Sequence, residues 1–139
     1  MTVRAWLRAG LIFLTFVHVA VGSWTLLFPH SFYGRVPTVG DYPPFNEHLF
    51  RDFGAMNIAM AVVLGTGAVL LERTLVYVAL TSNLVWAVPH LVFHAAHPSH
   101  TAGTLLVVAL VVTATIPVVL LVLTRGALPA GERRRLSRR

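Results

Sequence analysis

The sequence predicts an all-α fold: a four-helix transmembrane bundle of up-down topology, with one long outer loop between helices one and two. Three observations carry that expectation. Of 139 residues, 56% are hydrophobic and only 12% charged, against about 25% charged in an ordinary soluble domain. Four apolar stretches each reach the roughly 20 residues that a bilayer core demands of a helix. None of them has the polar outer face that a helix in a soluble bundle needs. A mean hydropathy of +0.74 agrees. These features exclude a soluble enzyme, a disordered tail and a nucleic-acid-binding domain as first readings. The lack of cysteine excludes disulfide scaffolds, thiol redox centres and thiolate metal sites.

The first helix is expected over about 7–28. Ala9 to Phe28 carries no charge apart from one that His18 could take. Arg4 and Arg8 before an apolar run also suit a signal peptide, but Ala20-Val21-Gly22 is a poor cleavage site. The run continues through Trp24 to Phe28, so a retained helix is expected. The second helix covers about 47–71, uncharged from Phe53 onward. The third covers about 75–97 and is apolar except for Asn83, His90 and His94. The fourth, about 101–124, is uncharged and holds Pro117. Residues 1–125 thus form the membrane domain and 126–139 a basic tail.

An even number of spans puts both termini on one side. Arg4, Arg8, Arg73, Arg125, Arg133, Arg134, Arg135, Arg138 and Arg139 fall on that side, and only Arg35 and Arg51 on the other. The positive-inside rule then makes both termini cytoplasmic, and a bacterial inner membrane is the expected location. The formal charge of +6 needs no nucleic acid to explain it, since the tail from Glu132 to Arg139 suits anionic headgroups. The short turn around Glu72-Arg73-Thr74 forces helices two and three into an antiparallel hairpin. The outer loop from Pro29 to Glu47 is long for such a bundle, and long loops are often functional. Its Phe32, Tyr33, Tyr42 and Phe45 predict an interfacial cap; Trp24, Tyr33 and Tyr42 suit interfacial anchors.

All seven histidines fall at the outer surface or in the outer half. His18 lies about 15 Å and His90 about 10 Å below the outer helix ends, at 1.5 Å per residue. On helix three Asn83, His90, His94 and His97 are spaced by seven, four and three, which keeps them on one stripe. Pro89 beside them is expected to kink the helix and loosen its backbone. At the start of helix two, Glu47 with Arg51 and His48 with Asp52 stand at i,i+4. Below them Ala55 and Ala59 continue the stripe as small residues that let another helix approach. The polar stripes of helices two and three could face each other.

Several chemistries suit this set. A metal site would draw on His48, His90, His94 and His97, with Glu47 or Asp52 as carboxylate ligands. Zinc, copper or iron fits such nitrogen and oxygen donors. A bis-histidine haem would use His18 and His90, which share a depth on different helices. Metal-free acid–base catalysis would use Glu47 or Asp52 as the acid and His90 or His94 as the relay, with Arg51 and Asn83 supporting. Its substrate would be lipid-soluble, or a small molecule from outside. A plainer role, as an accessory or scaffold subunit, leaves the histidines to headgroups and water and expects a membrane-protein partner or a second copy of the chain. A proton or ion conduit is disfavoured by the nearly apolar inner halves of the helices.

The order of a short basic start, a helix, a proline-containing outer loop, Asn46-Glu47-His48-Leu49-Phe50-Arg51-Asp52-Phe53-Gly54 and then Val88-Pro89-His90-Leu91-Val92-Phe93-His94 resembles small four-helix DoxX-like membrane proteins of high-GC Gram-positive bacteria. The resemblance covers the four helices without the tail. It implies the fold and the membrane location, and through that grouping an association with redox complexes, but no catalytic residue. The run His90-x3-His94-x2-His97 is also similar to one histidine box of membrane di-iron oxygenases, which use several. Taken together, the sequence predicts an integral membrane protein with an outward-facing pocket of histidines and carboxylates. A metal- or proton-handling enzyme or oxidoreductase component is the first function expected of it.

Overall fold

A computed structural model describes residues 2–41, 44–100 and 102–128. Among the described residues the chain forms five helices: α1 (Val3–Leu27), α2 (Pro29–Arg35), α3 (Glu47–Leu70), α4 (Arg73–Ala96) and α5 (Gly103–Ala127). Four of them, α1, α3, α4 and α5, are long and apolar enough to cross a membrane. They match the four expected spans to within a few residues at each end. The short α2 is the element that sequence reading did not find. Its start fits the preference of proline for the first helical turn, where no N–H is needed. Tyr42 and the tail from 129 onward lie outside the described residues.

Local chemistry sets the helix ends. The Thr2 hydroxyl accepts from the Ala5 N–H and starts α1, and the Asn46 side chain accepts from the Leu49 N–H and starts α3. Leu71, at φ 48°, closes α3 in the left-handed region and lets the chain reverse into α4 within two residues. Both α4 and α5 run on through their internal prolines, Pro89 and Pro117.

The long helices form a ring in the order α1, α3, α4, α5, so α1 and α4 face each other diagonally. Contact is most extensive between α1 and α3. It rests on Gly22 and Gly54: a Cβ on Gly54 would lie 2.5 Å from the Leu26 nitrogen and 2.8 Å from the Gly22 oxygen. This corrects the expected stripe of small residues, since Ala55 and Ala59 are exposed while Gly54, Asn57 and Ala61 are buried. The face that meets α1 is one residue, about 100° of helix, away from the one expected. Arg51 ties the same pair together at its open end, donating to the Leu26 carbonyl at 2.6 Å and pairing with Glu47 at 2.7 Å. Arg8 donates to the Ala68 carbonyl at the opposite end.

The two halves of the bundle are packed differently. The half nearer the termini is an apolar core in which Leu7, Leu11, Leu64, Val76 and Leu80 are fully buried. The other half is covered by the connection that contains α2. There Phe45 stacks on Phe50 and on His30, and Tyr33 packs edge-on against both phenylalanines. The Trp24 indole donates to the Ser31 hydroxyl. Ser99, in the link between α4 and α5, donates to Asp41 and fastens the two connections to each other.

Candidate functional site

The polar centre of the bundle is built on helix positions 18, 57 and 83. His18 is 4% exposed, Asn57 3% and Asn83 2%, each on a different long helix. The Asn57 amide nitrogen donates to the Phe53 carbonyl one turn back on α3, at 2.8 Å. A carbonyl only accepts, so this contact fixes which end of the Asn57 amide is which. The Asn57 oxygen is left to face His18 Nδ1 at 2.8 Å, and Nδ1 must therefore carry the proton. Asn83 Nδ2 donates to His18 Nε2 at 2.7 Å across the diagonal of the ring. Among the described residues no carboxylate lines this region to pair a charged ring, and an unpaired buried charge is costly, so the ring is neutral and its Nε2 accepts. The result is a one-way relay from Asn83 through His18 and Asn57 to Phe53. At its head is one unsatisfied atom: Asn83 Oδ1 is buried and, among the described residues, has no hydrogen-bond partner.

Aromatic rings continue outward from the relay. Trp86 meets His18 edge-on at 5.3 Å and stacks on His90 at 4.9 Å, and His90 meets His94 at 4.7 Å. Beside this column lies a cavity of about 600 Å³. Leu14, His18 and Asn83 lie at its deep end, and Trp86, His90 and His94 form one wall. Leu106, Leu110 and Thr113 of α5 form another, while Phe50 and Phe53 contribute from α3. Val36, Thr38 and Val39 of the long connection complete it. The lining is overwhelmingly apolar. The Thr113 hydroxyl is turned to its own helix, donating to the Ala109 and Leu110 carbonyls.

The residues expected to act together divide into two groups. His18, Asn83, His90 and His94 share the cavity. Glu47, His48, Arg51 and Asp52 do not line it; they lie at the start of α3, where His48 and Asp52 pair at 3.3 Å with side chains 87% and 59% exposed. Their stripe is on the outside of the α1–α3 pair, so it cannot face the α4 stripe. His97 is also apart, donating to the Phe93 carbonyl and stacking on the Phe93 ring. Among the described residues no three histidine or carboxylate side chains gather around a point where an ion could sit. The proposed set of His48, His90, His94 and His97 is therefore not assembled, because helix rotation sends His48 to the surface. The haem pairing of His18 with His90 does not fit either: both His18 nitrogens are engaged by asparagines, and the Trp86 ring contacts both histidines. The acid of the expected acid–base pair, Glu47 or Asp52, has no place in the cavity.

Sequence reasoning passed over Asn57 as a site residue, although an amide deep in an apolar span is itself a signal of function or structure. The cavity's phenylalanines carried no such signal.

Family models, curated proteins and solved structures were all compared with the chain. None matches it. The site is thus read from its own geometry, and that geometry is a mostly apolar cavity with His18 and Asn83 deep in it and His90 and His94 in its wall.

Proposed function

We propose that this multi-pass protein binds a small, lipid-soluble molecule within one half of its helical bundle. The observation that carries the reading is the cavity of about 600 Å³, lined mostly by apolar side chains from every long helix, with His18 and Asn83 among them. Sites for small ligands are typically concave chambers of about 300–1,000 Å³, mostly apolar with a few placed polar groups. The arginine distribution supports an inner-membrane setting with cytoplasmic termini, which would open the cavity toward the outer leaflet. The DoxX-like resemblance accords with such a protein and rests on the sequence alone.

The test is binding of a naphthalene probe by purified protein in lipid nanodiscs, measured by equilibrium dialysis against empty nanodiscs. Saturable uptake near one probe per chain is expected. Leu110→Trp, which fills the chamber from α5, should abolish it while helicity and monodispersity are retained. Uptake indistinguishable from that of empty nanodiscs overturns the reading.

A second reading is favoured by His90 and His94 in the cavity wall: metal-free acid–base chemistry on the bound molecule. It predicts that His90→Ala/His94→Ala binds the ligand of the wild type but no longer converts it.

A further inference from the structure

The relay at the deep end of the cavity specifies more than an apolar guest. Its direction is set by the Phe53 carbonyl, which can only accept, and each link then follows: Asn57 donates to Phe53, His18 to Asn57, and Asn83 to His18. Turning the Asn83 amide over would place its oxygen against the bare Nε2 of a neutral ring, lone pair to lone pair. The oxygen must therefore be the Asn83 atom left over. Asn83 is 2% exposed and lines the cavity, and among the described residues its oxygen has no partner. A buried acceptor left unpaired is costly, and such groups find a partner from solvent or ligand.

We infer that the molecule bound in this cavity carries a hydrogen-bond donor, a hydroxyl or N–H, on a flat apolar frame, and that the donor pairs with Asn83 Oδ1. The inference rests on the proposed binding function and narrows its ligand to phenol-like or N–H heteroaromatic compounds. Their ethers, esters and ketones, which only accept, present a lone pair to a lone pair at that point. The flat frame follows from the lining, to which Trp86, Phe50 and Phe53 contribute aromatic rings. Asn83 is a specificity-determining residue on this account, with His18 and Asn57 as positioning residues that hold its oxygen in place.

Two probes that differ in one group test this: 2-naphthol and 2-methoxynaphthalene, each dialysed against protein in nanodiscs and against empty nanodiscs. After correction for lipid uptake, the wild type should bind the naphthol about tenfold more tightly, the effect of one hydrogen bond to a buried acceptor. Asn83→Leu should lose that preference and still take up both probes. Should Asn83→Leu fail to fold, the wild type labelled with carbonyl-¹³C asparagine serves instead: one of its three side-chain carbonyl bands (Asn46, Asn57, Asn83) should shift to lower frequency with naphthol and not with the ether. Equal affinity for the two probes, with no band shift, would mean that water satisfies Asn83; the donor requirement is then overturned while the binding function stands. Saturable uptake of neither probe overturns both.

Discussion

Asparagine 57 and histidine 48 are both polar residues on α3, yet their surroundings give them opposite weight. Asn57 holds His18 from within the bundle, whereas His48 meets Asp52 at the surface. Replacing Asn57 by leucine leaves the His18 Nδ1 proton without an acceptor. Polar contacts between membrane helices are typically worth about 0.6 kcal/mol and reach about 1.7; a buried, fully directed one belongs at the upper end. Asn57→Leu should therefore lower stability by about 1–2 kcal/mol in an SDS-titration unfolding experiment. His48→Ala should stay within about 0.5 kcal/mol of wild type, because exposed ion pairs contribute little. Equal effects at the two positions would mean that the relay does not hold the bundle together.

At the scale of helices, the decisive contact is the crossing of α1 and α3. Without a hydrophobic drive between helices in lipid, close packing at small residues supplies the attraction. Gly54 lies so near the α1 backbone that any side chain would force the two apart. Gly54→Ala should cost about 1–3 kcal/mol, the usual penalty for overpacking, and should also disturb the relay, since Asn57 lies one turn further along. Gly34→Ala, in α2 with open space around it, should be neutral. Thermal unfolding of the two variants in the same detergent makes the comparison. Arg51 acts on the same pair of helices: with its guanidinium on the Leu26 carbonyl, it caps the end of α1 from α3. Its sequence signal, an i,i+4 pair with Glu47, pointed to the local contact but not to the carbonyl it reaches.

For the whole molecule, the predictions concern orientation and ligand linkage. The chain has no native cysteine, so single introduced thiols report cleanly. In intact cells an impermeant maleimide should label Gly40→Cys, in the long connection, and should leave Thr74→Cys, in the short turn, unlabelled until the membrane is permeabilised. The reverse pattern would put the cavity on the cytoplasmic side. A ligand that occupies the cavity only in the folded bundle should raise its stability by about 2.7 kcal/mol at one hundred times its Kd. The gain should vanish in Leu110→Trp.

Spans and the gathering of histidines toward one end follow from local information. Hydrophobic length fixes the first, because a helix either holds about 20 apolar residues or does not. Chain position fixes the second through the helical rise. The four long helices accordingly agree with the sequence expectation, and only α2 was hidden, a seven-residue helix too short to show a period within a long connection. Which residues meet depended on the rotation of each helix about its axis, and nearly uniform apolar faces give almost no clue to that rotation. A shift of one residue turned His48 outward and brought Gly54 and Asn57 onto α1. The diagonal placement of α1 and α4 then put His18 between two asparagines. By itself the sequence determined how many long helices the chain has, how far they extend and toward which end their histidines lie. Only the tertiary structure decided that the polar centre is an asparagine–histidine relay under an apolar cavity, because packing alone sets how the helices turn toward one another.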